Sequence, residues 1–347
     1  MTILTADLDH VLDHTRPLWD ELRGRRIFVT GGTGFFGRWL LESFAWANDQ
    51  LRLGAEMVVL TRNLQAFEKK APHLARRKDV HFHIGDVRNF KFPEGKFSHL
   101  IHAATEASSK LNDESPQLML DTTVEGTRRA LDFAVECNAK KFLLTSSGAV
   151  YGKQPSDVTH VPEDYAGAPD CSNTQSAYGE GKRVSELLCS IYSKRHGIES
   201  KIARCFAFVG PYLPLDVHFA IGNFIRDAMA GNSIVIKGDG TPFRSYLYAA
   251  DLAIWLWTIL FRGFPNRPYN VGSRNQLTIA QTANAVSGAL PGGVPVIVSQ
   301  KPAPDKPAQR YVPETSRAQN ELNLAEWVKI DDAIRRTAQW HKRQDNI

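Results

Sequence analysis

Three side chains in this sequence have the types and the spacing for proton transfer. Ser147 lies in the polar segment 145–152, directly after an apolar stretch, and Tyr178 and Lys182 stand four residues apart in a later segment. On a helix, residues four apart share one face, and an ammonium beside a phenol lowers the pKa of the phenol from about 10. This pattern predicts a tyrosine that serves as general acid and base. The alternative is a pair on a solvent-facing helix, since this spacing also arises by chance.

A glycine-rich turn near the start of the chain predicts where a dinucleotide binds. The segment 26–44 is a short apolar run, then Gly31, Gly34 and Gly37, then a helical pattern. Glycine permits a sharp turn and a close approach to a pyrophosphate, and the N-terminus of the following helix offers free N–H groups. A glycine-rich loop alone also fits a plain turn, but the strand and helix patterns on either side favour dinucleotide binding.

Alternating strand and helix patterns must position these two segments. Strand patterns recur at 27–29, 57–60, 80–84, 100–104, 141–144, 200–204 and 269–271, and long helices are predicted at 116–137 and 178–196. Such alternation predicts an α/β fold of the Rossmann type, with a doubly wound parallel sheet covered by helices. Because ligands bind at the carboxyl ends of strands in these folds, segment 145–152 should lie at the ligand-binding edge.

Changes in composition and in the length of the predicted elements indicate how the chain is divided into domains. Residues 1–24 read as an N-terminal helical extension, which Pro17 breaks into two pieces. Residues 25–210 form the predicted dinucleotide-binding domain, to which the chain returns around 245–275. Residues 211–347 are richer in proline and have shorter elements between glycines, and they are predicted to form mainly a smaller substrate-binding lobe.

Composition disfavours several other classes of protein. The net charge is +5, and no aromatic residues are interleaved with the basic clusters, so no nucleic-acid partner is predicted. No apolar run reaches membrane-spanning length, and no secretion signal is recognisable, so a cytoplasmic protein without a membrane partner is predicted. The four cysteines lack metal-ligand spacing, so neither a metal site nor a disulfide framework is expected: Cys137, Cys171, Cys189 and Cys205.

Taken together, these motifs resemble the extended short-chain dehydrogenase/reductases, the group of nucleotide-sugar epimerases, dehydratases and decarboxylases. The resemblance covers residues from about 25 to 340. It rests on Thr30–Gly37, Gly85–Val87, His102–Ala104, Ser146–Gly152, the Tyr178 and Lys182 pair, Gly210–Pro211, Arg244–Tyr246 and Tyr269–Gly272.

The resemblance implies a role for each matching residue. Ser147 would hydrogen-bond the reacting sugar hydroxyl, Tyr178 would exchange its proton, and Lys182 would hold the nicotinamide ribose. The cofactor-binding set implied is Gly31, Thr33, Gly34, Phe35, Phe36, Gly37, Thr61, Arg62, Asp86, Val87, Ala103, Ala104, Thr145, Tyr178 and Lys182. The substrate-binding set is Ser146, Ser147, Asn223, Arg244 and Arg310. The implied partners are a nucleotide-diphosphate sugar and a second copy of the chain, through a four-helix bundle formed by the helices that begin near Pro116 and Tyr178.

Departures from the family pattern narrow the predicted reaction. Dehydratases of the group place Asp-Glu directly after the catalytic hydroxyl residue, and the UDP-glucuronate decarboxylases keep a Glu there, whereas this chain has Gly148 and Ala149. The prediction is an epimerase that works by hydride transfer through a keto-sugar intermediate. The alternative is an NADPH-dependent 4-keto-sugar reductase. A decarboxylase-like or 4,6-dehydratase-like activity would require another carboxylate, such as Glu106. An inactive cofactor-sensing protein would not need Ser147, Tyr178 and Lys182 together.

The residues after the second strand bear on the choice of cofactor. An NAD enzyme would have an acidic residue there to accept from the ribose 2′-hydroxyl, but this chain has Thr61 and Arg62. An arginine suits a 2′-phosphate, so the sequence predicts NAD(P) with a slight preference for NADP. In the alternative, Arg62 stacks on adenine while NAD is bound.

Overall fold

The structure is a computed structural model that describes residues 3–105, 109–216, 220–303 and 307–344. Its strands are β1 (Arg26–Thr30), β2 (Glu56–Thr61), β3 (Val80–Ile84), β4 (His99–His102), β5 (Lys141–Ser147), β6 (Glu199–Cys205), β7 (Phe208–Val209), β8 (Ile234–Ile236), β9 (Phe243–Arg244), β10 (Leu247–Tyr248), β11 (Pro268–Val271), β12 (Leu277–Thr278), β13 (Val296–Val298) and β14 (Arg310–Tyr311). Its α-helices are α1 (Ile3–Thr15), α2 (Phe35–Leu51), α3 (Leu64–Lys70), α4 (Pro72–Ala75), α5 (Ser109–Glu114), α6 (Pro116–Glu136), α7 (Ala177–His196), α8 (Ala220–Met229), α9 (Ala249–Arg262), α10 (Ile279–Ala289), α11 (Ser316–Leu322) and α12 (Ile330–Gln344).

A parallel sheet of seven strands forms the centre, in the order β11-β6-β5-β4-β1-β2-β3. The order reverses between β1 and β4, so the loops after these two strands diverge and open a crevice at the carboxyl edge. The predicted doubly wound α/β fold is confirmed. The predicted strands agree with the observed ones to within a few residues; the largest difference is β5, which continues to Ser147.

Strand alternation sends side chains to two separate cores. Successive side chains of a strand point to opposite faces of the sheet. In β1, Phe28 packs on one face against Phe133 of α6, with the ring centroids 4.9 Å apart. Its neighbours Ile27 and Val29 are fully buried in the other core, together with Trp39 and Phe44 of α2. Helices therefore cover both faces, which explains why β1 is almost wholly apolar.

The N-terminal helix packs against a helix that has almost no exposed surface. In α9, every residue from Ala249 to Phe261 is buried, and α1 and α2 are among its neighbours. Helix α1 ends at Thr15, where a 3-10 turn containing Pro17 begins. The buried Asp7 of α1 accepts a hydrogen bond from Tyr248 and pairs with Arg336 of α12. The helical character predicted for this segment is thus found, and α1 joins the core of the protein.

The segment after β6 contributes both to the main sheet and to smaller sheets. Strand β11 adds to the seven-stranded sheet beside β6. The remaining strands of this segment form a three-stranded sheet, β12-β9-β14, and two pairs, β10-β7 and β13-β8. Within the described ranges, no helix is both long and apolar enough to cross a membrane.

Candidate active site

The structure brings the three predicted catalytic residues to one cavity. Ser147 is the last residue of β5, and its hydroxyl accepts a hydrogen bond from the Ala149 N–H at 3.1 Å, which caps the following 3-10 turn. Tyr178 and Lys182 lie one turn apart on α7. All three line a cavity of about 580 Å³ at the carboxyl edge of the sheet.

Hydrogen bonds to the end of β5 and the end of β4 fix the Lys182 ammonium. Its Nζ donates to the Thr145 carbonyl at 2.8 Å and to the Thr105 hydroxyl at 2.7 Å. Burial lowers the pKa of Lys182 to about 8. Thr105 was not predicted from the sequence, although its place directly after the strand pattern that ends at Ala104 was a usable signal.

The predicted effect of Lys182 on Tyr178 is wrong for the protein alone. Burial among densely packed protein atoms raises the pKa of the Tyr178 phenol above its ordinary range, and the Ser147 hydroxyl only partly opposes this. The Lys182 Nζ lies 5.9 Å from the centre of the Tyr178 ring, and its hydrogen bonds go to Thr145 and Thr105. Desolvation therefore dominates the pKa of the phenol.

A second tyrosine faces Ser147 and was missed by the sequence analysis. Tyr311, from β14, lines the same cavity as Tyr178. Burial raises the pKa of Tyr311 to about 12, and interaction with the Ser147 hydroxyl opposes that rise. Tyr311 lies more than 160 positions along the chain from Ser147, so no local spacing could reveal the contact.

The glycine turn has the shape that a dinucleotide requires. Gly31 has a φ of +72°, and a Cβ built there would lie 2.4 Å from the Ala103 backbone. A Cβ at Gly37 would lie 2.3 Å from the Gly31 carbonyl oxygen. Helix α2 begins directly after Gly34, so its free N–H groups face the turn. Gly31, Gly34, Phe35, Phe36, Ala103 and Thr145 line the large cavity, beside Tyr178 and Lys182.

A second cavity, of about 320 Å³, continues from the glycine turn toward β2 and β3. Asp86 lies there, and its ion pair with Arg88 at 2.9 Å lowers the pKa of its carboxyl. Arg88 is a further cation at this end of the cleft that the sequence analysis did not single out. The predicted residues in the lining are Gly31, Thr33, Gly34, Thr61, Arg62, Asp86, Val87, Ala103 and Ala104. The two cavities meet at Gly31, so the chain offers a continuous cradle that fits an extended dinucleotide.

The five residues predicted to bind the substrate do not all line the large cavity. Ser147 and Arg244 line the large cavity. Ser146 also lines this cavity, but its hydroxyl donates to Glu186 of α7 at 2.6 Å. Asn223 does not line the cavity, and Arg310 is turned away: its guanidinium lies over the Phe243 ring and donates to Gln276 at 2.7 Å.

Two further expectations concern metal and acid groups. Among the described residues, no group of three His, Cys, Asp or Glu side chains is placed to hold a metal ion. Glu106, named above as a substitute carboxylate, lies outside the described residues.

Comparison with known proteins agrees with this geometry. The family model of the NAD dependent epimerase/dehydratase family matches residues 27–272. This chain belongs to that family. The match runs from the second residue of β1 to the residue after β11, so it includes the glycine turn and the predicted catalytic residues.

Individual relatives catalyse several reactions. UDP-glucuronic acid decarboxylase 6 of Arabidopsis thaliana is 31% identical over 309 residues, which cover 89% of this chain and 86% of the relative. UDP-glucose 4-epimerase of Thermotoga maritima has a similar structure, with a TM-score of 0.77 at 19% identity over 92% of this chain and 99% of the neighbour. UDP-glucuronic acid 4-epimerase of Bacillus cereus, solved with UDP-glucuronic acid and NAD, has a TM-score of 0.75 at 21% identity, with the same coverage. At these identities the two structures show the common fold alone.

Proposed function

We propose that this family member is an NAD(P)-dependent nucleotide-sugar epimerase. The observation that carries the proposal is the neighbourhood of Ser147, which shares a cavity with Tyr178 and is followed by two residues without an acid group. Gly148 and Ala149 occupy the two positions after Ser147. The proposed enzyme therefore has groups for moving one proton and one hydride at a single carbon, and no carboxylate in this turn for an elimination.

Packing around Gly148 leaves no room for a side chain at this position. A Cβ built on Gly148 would lie 2.7 Å from the Phe206 ring and 2.8 Å from the Tyr311 hydroxyl. Real Cβ atoms do not approach other atoms this closely, so a carboxylate here would displace both aromatic residues. The packing therefore suits glycine at position 148, and together with Ala149 it leaves this turn without a carboxylate. We therefore favour an epimerase over a decarboxylase or a dehydratase, although the decarboxylases are curated relatives at about 30% identity.

The geometry supports a mechanism with few participants. Ser147 would hold the reacting hydroxyl of the sugar, and Tyr178 would exchange the proton of that hydroxyl. Because burial raises the pKa of Tyr178 in the protein alone, this role requires that bound ligands bring the pKa down. A bound nicotinamide would supply the chemistry of accepting the hydride and giving it back. Lys182 would hold the nicotinamide ribose. Arg244 would pair with the diphosphate, since a guanidinium provides a planar set of donors for phosphate oxygens.

Product analysis tests this proposal directly. Purified protein, with NAD or NADP added in parallel, is incubated with UDP-glucose, UDP-glucuronic acid and UDP-N-acetylglucosamine, and the products are followed by NMR. We expect an epimeric sugar with no net change in cofactor oxidation. Accumulation of a 6-deoxy-4-keto sugar, or loss of the uronic acid carboxyl as CO₂, would overturn the epimerase assignment.

A second candidate, an NADPH-dependent 4-keto-sugar reductase, is favoured by the cations at the adenosine end. Arg62 and Arg88 both line that cavity, and Arg62 helps to lower the pKa of Asp86. If Arg62 pairs with a 2′-phosphate, Arg62→Ala should weaken NADP(H) binding by about tenfold to a hundredfold and NAD(H) binding far less. Titration of both cofactors measures this, and equal losses would remove the preference for NADP.

We also propose a homodimer formed through α6 and α7. Large apolar side chains stand exposed on the two packed helices, and pairing with a second copy as a four-helix bundle would cover them: Leu118, Leu120, Val184, Leu187 and Ile191. Leu187 is 60% exposed, so Leu187→Glu should shift the sedimentation of the protein to that of a monomer.

Two proposals concern organisation and location. The division into a helical extension, a dinucleotide-binding domain and a substrate-binding lobe is proposed at the boundaries predicted above. The cysteines of the chain are free thiols, of which Cys171 is exposed. Because reduced thiols persist in reducing compartments, we propose a cytoplasmic enzyme.

A further inference from the structure

A third cavity meets the catalytic cavity at Tyr178 and Tyr311. It has a volume of about 590 Å³ and shares Tyr178 and Tyr311 with the catalytic cavity, but Ser147 and Arg244 do not line it. Ala149 forms part of its wall. We call this space the annex. It also includes Asn112, Lys153, Asp170, Asn173, Gln175 and Ser176.

The position of the annex indicates which part of a substrate would reach it. In the proposed function, Arg244 holds the diphosphate and Tyr178 reacts with the sugar, so these residues fix two points of the substrate. The annex begins at Tyr178 and has no contact with Arg244. A substituent next to the reacting carbon and away from the diphosphate would therefore extend into it.

Hydrogen bonds within the annex occupy its acceptors more than its donors. The Asn112 side-chain oxygen accepts from the Tyr178 N–H, and the Asn173 side-chain oxygen accepts from the Gln175 N–H. One Asp170 oxygen accepts from both the N–H and the hydroxyl of Ser172.

The side-chain donors of the annex stay available for a ligand. In the described part of the chain, no hydrogen bond or ion pair engages the Lys153 ammonium, the side-chain NH₂ groups of Asn173 and Gln175, or the Ser176 hydroxyl. Lys153 is the cation of this lining. Its side chain and that of Asp170 are both exposed, but the Asp170 carboxylate already accepts hydrogen bonds from Ser172. A cavity with unused donors and an unpaired ammonium suits a group rich in acceptor oxygens, above all a carboxylate.

We infer that the annex binds a carboxylate on the substrate sugar and that Lys153 is the residue that selects it. The preferred substrate is then a nucleotide-linked uronic acid rather than a neutral hexose. This inference rests on the proposed function, because it requires a nucleotide sugar that reacts at Tyr178. It assigns no catalytic step to Lys153, which acts only in recognition.

The test compares binding of three ligands to the full-length protein with cofactor present, by calorimetry at low salt. The ligands are UDP, UDP-glucose and UDP-glucuronic acid. The variants are Lys153→Met and the matched control Lys96→Met, an exposed lysine that precedes β4 at the opposite edge of the sheet. We expect UDP-glucuronic acid to bind about tenfold more tightly than UDP-glucose to the wild type and to the control. In Lys153→Met this preference should disappear, while the affinity for UDP stays unchanged.

The outcomes separate failure of this inference from failure of the proposed function. If UDP binds but the two sugars bind equally to the wild type, or if the preference survives in Lys153→Met, the carboxylate assignment is wrong and the epimerase proposal stands. If a Lys153-dependent gain appears with UDP-N-acetylglucosamine and not with UDP-glucuronic acid, the annex selects an amide and the inference is again overturned. If none of these ligands binds, the proposed function fails and this inference fails with it.

Discussion

The cofactor side of the cleft is built from residues adjacent in sequence, whereas its substrate side is assembled from segments far apart. Gly31, Gly34 and Gly37 lie within a single turn between β1 and α2, and the strand register fixes that turn against Ala103. On the substrate side, Ser147 meets Tyr311, which comes from the two-residue strand β14. The shape of the glycine turn is set by residues adjacent in sequence. The substrate side of the cleft takes its shape only when distant segments of the chain come together.

This difference suggests that the two sides should respond differently to substitution. Changes on the cofactor side should act through backbone shape and should affect binding of the dinucleotide. Changes on the substrate side should act through single polar atoms and should affect turnover.

The largest effect is expected from Tyr178→Phe. This change removes the proton carrier and keeps the ring, and general acid–base groups contribute roughly a hundredfold to ten-thousandfold in rate. We expect turnover to fall by that factor while cofactor affinity changes little. Steady-state kinetics and a cofactor titration measure the two quantities separately. Turnover near that of the wild type would end the catalytic assignment.

A matched pair of glycines isolates backbone shape on the cofactor side. Gly31 and Gly197 both have a φ of +72°, but a Cβ at Gly31 would meet Ala103 at 2.4 Å, whereas a Cβ at Gly197 would meet nothing within 4 Å. Alanine at either position carries the left-handed strain of roughly 1–2 kcal/mol. We expect Gly31→Ala to lower the free energy of unfolding by a further 1–3 kcal/mol or so and to weaken cofactor binding. Thermal unfolding and titration check this; equal losses in both variants would mean that strain alone matters.

A smaller effect is expected from Tyr311→Phe on the substrate side. The variant keeps the ring beside Phe206, whose centroid lies 4.7 Å away, and removes the hydroxyl near Ser147. A neutral hydrogen bond contributes about 1 kcal/mol, so turnover should fall by about tenfold or less, with cofactor affinity unchanged. The same kinetic measurements apply. A loss as large as that of Tyr178→Phe would instead assign proton transfer to Tyr311.

The smallest effect concerns pH and the buried His102 at the end of β4. Its ring nitrogens contact Thr30 at 2.8 Å and Thr127 at 3.2 Å, and burial lowers its pKa to about 3. Between pH 6.5 and 3 the unfolded state binds more protons at this residue than the folded state does, so the free energy of unfolding falls as the pH drops. We expect a loss of about 1 kcal/mol between pH 6 and pH 5.

The control for this prediction uses two histidine variants. His102→Gln should show a weaker pH dependence of the unfolding midpoint, whereas His81→Gln, at an exposed position, should behave as the wild type. Chemical denaturation at both pH values measures the difference. An unchanged slope in His102→Gln would show that another group titrates.

The same contrast explains what the sequence could predict. The strands of the central sheet and the glycine turn follow from apolar runs, periodicity and glycine spacing, which are local properties. Ser147, Tyr178 and Lys182 were found because each belongs to a short motif. Their meeting in one cavity follows from the parallel sheet, whose strands end at a common edge.

What the sequence did not reveal depends on contacts between distant segments. The orientation of Ser146 is set by Glu186 on α7, and the position of Arg310 by Phe243 and Gln276. The pKa of Tyr178 depends on how many atoms surround it, which spacing along a helix cannot report. In each of these cases the three-dimensional environment, and not a local pattern, determines the position or the pKa of the side chain.

The burial of α9 has a consequence for how the chain is synthesised. The hydrogen bond between Asp7 and Tyr248 spans 241 positions, and the ion pair between Asp7 and Arg336 spans 329. On the ribosome, α1 emerges long before α9, and α12 follows later still. An incomplete chain therefore displays apolar helical surface that its partners do not yet cover. Such nascent chains are natural clients for chaperones that hold apolar segments until translation is finished.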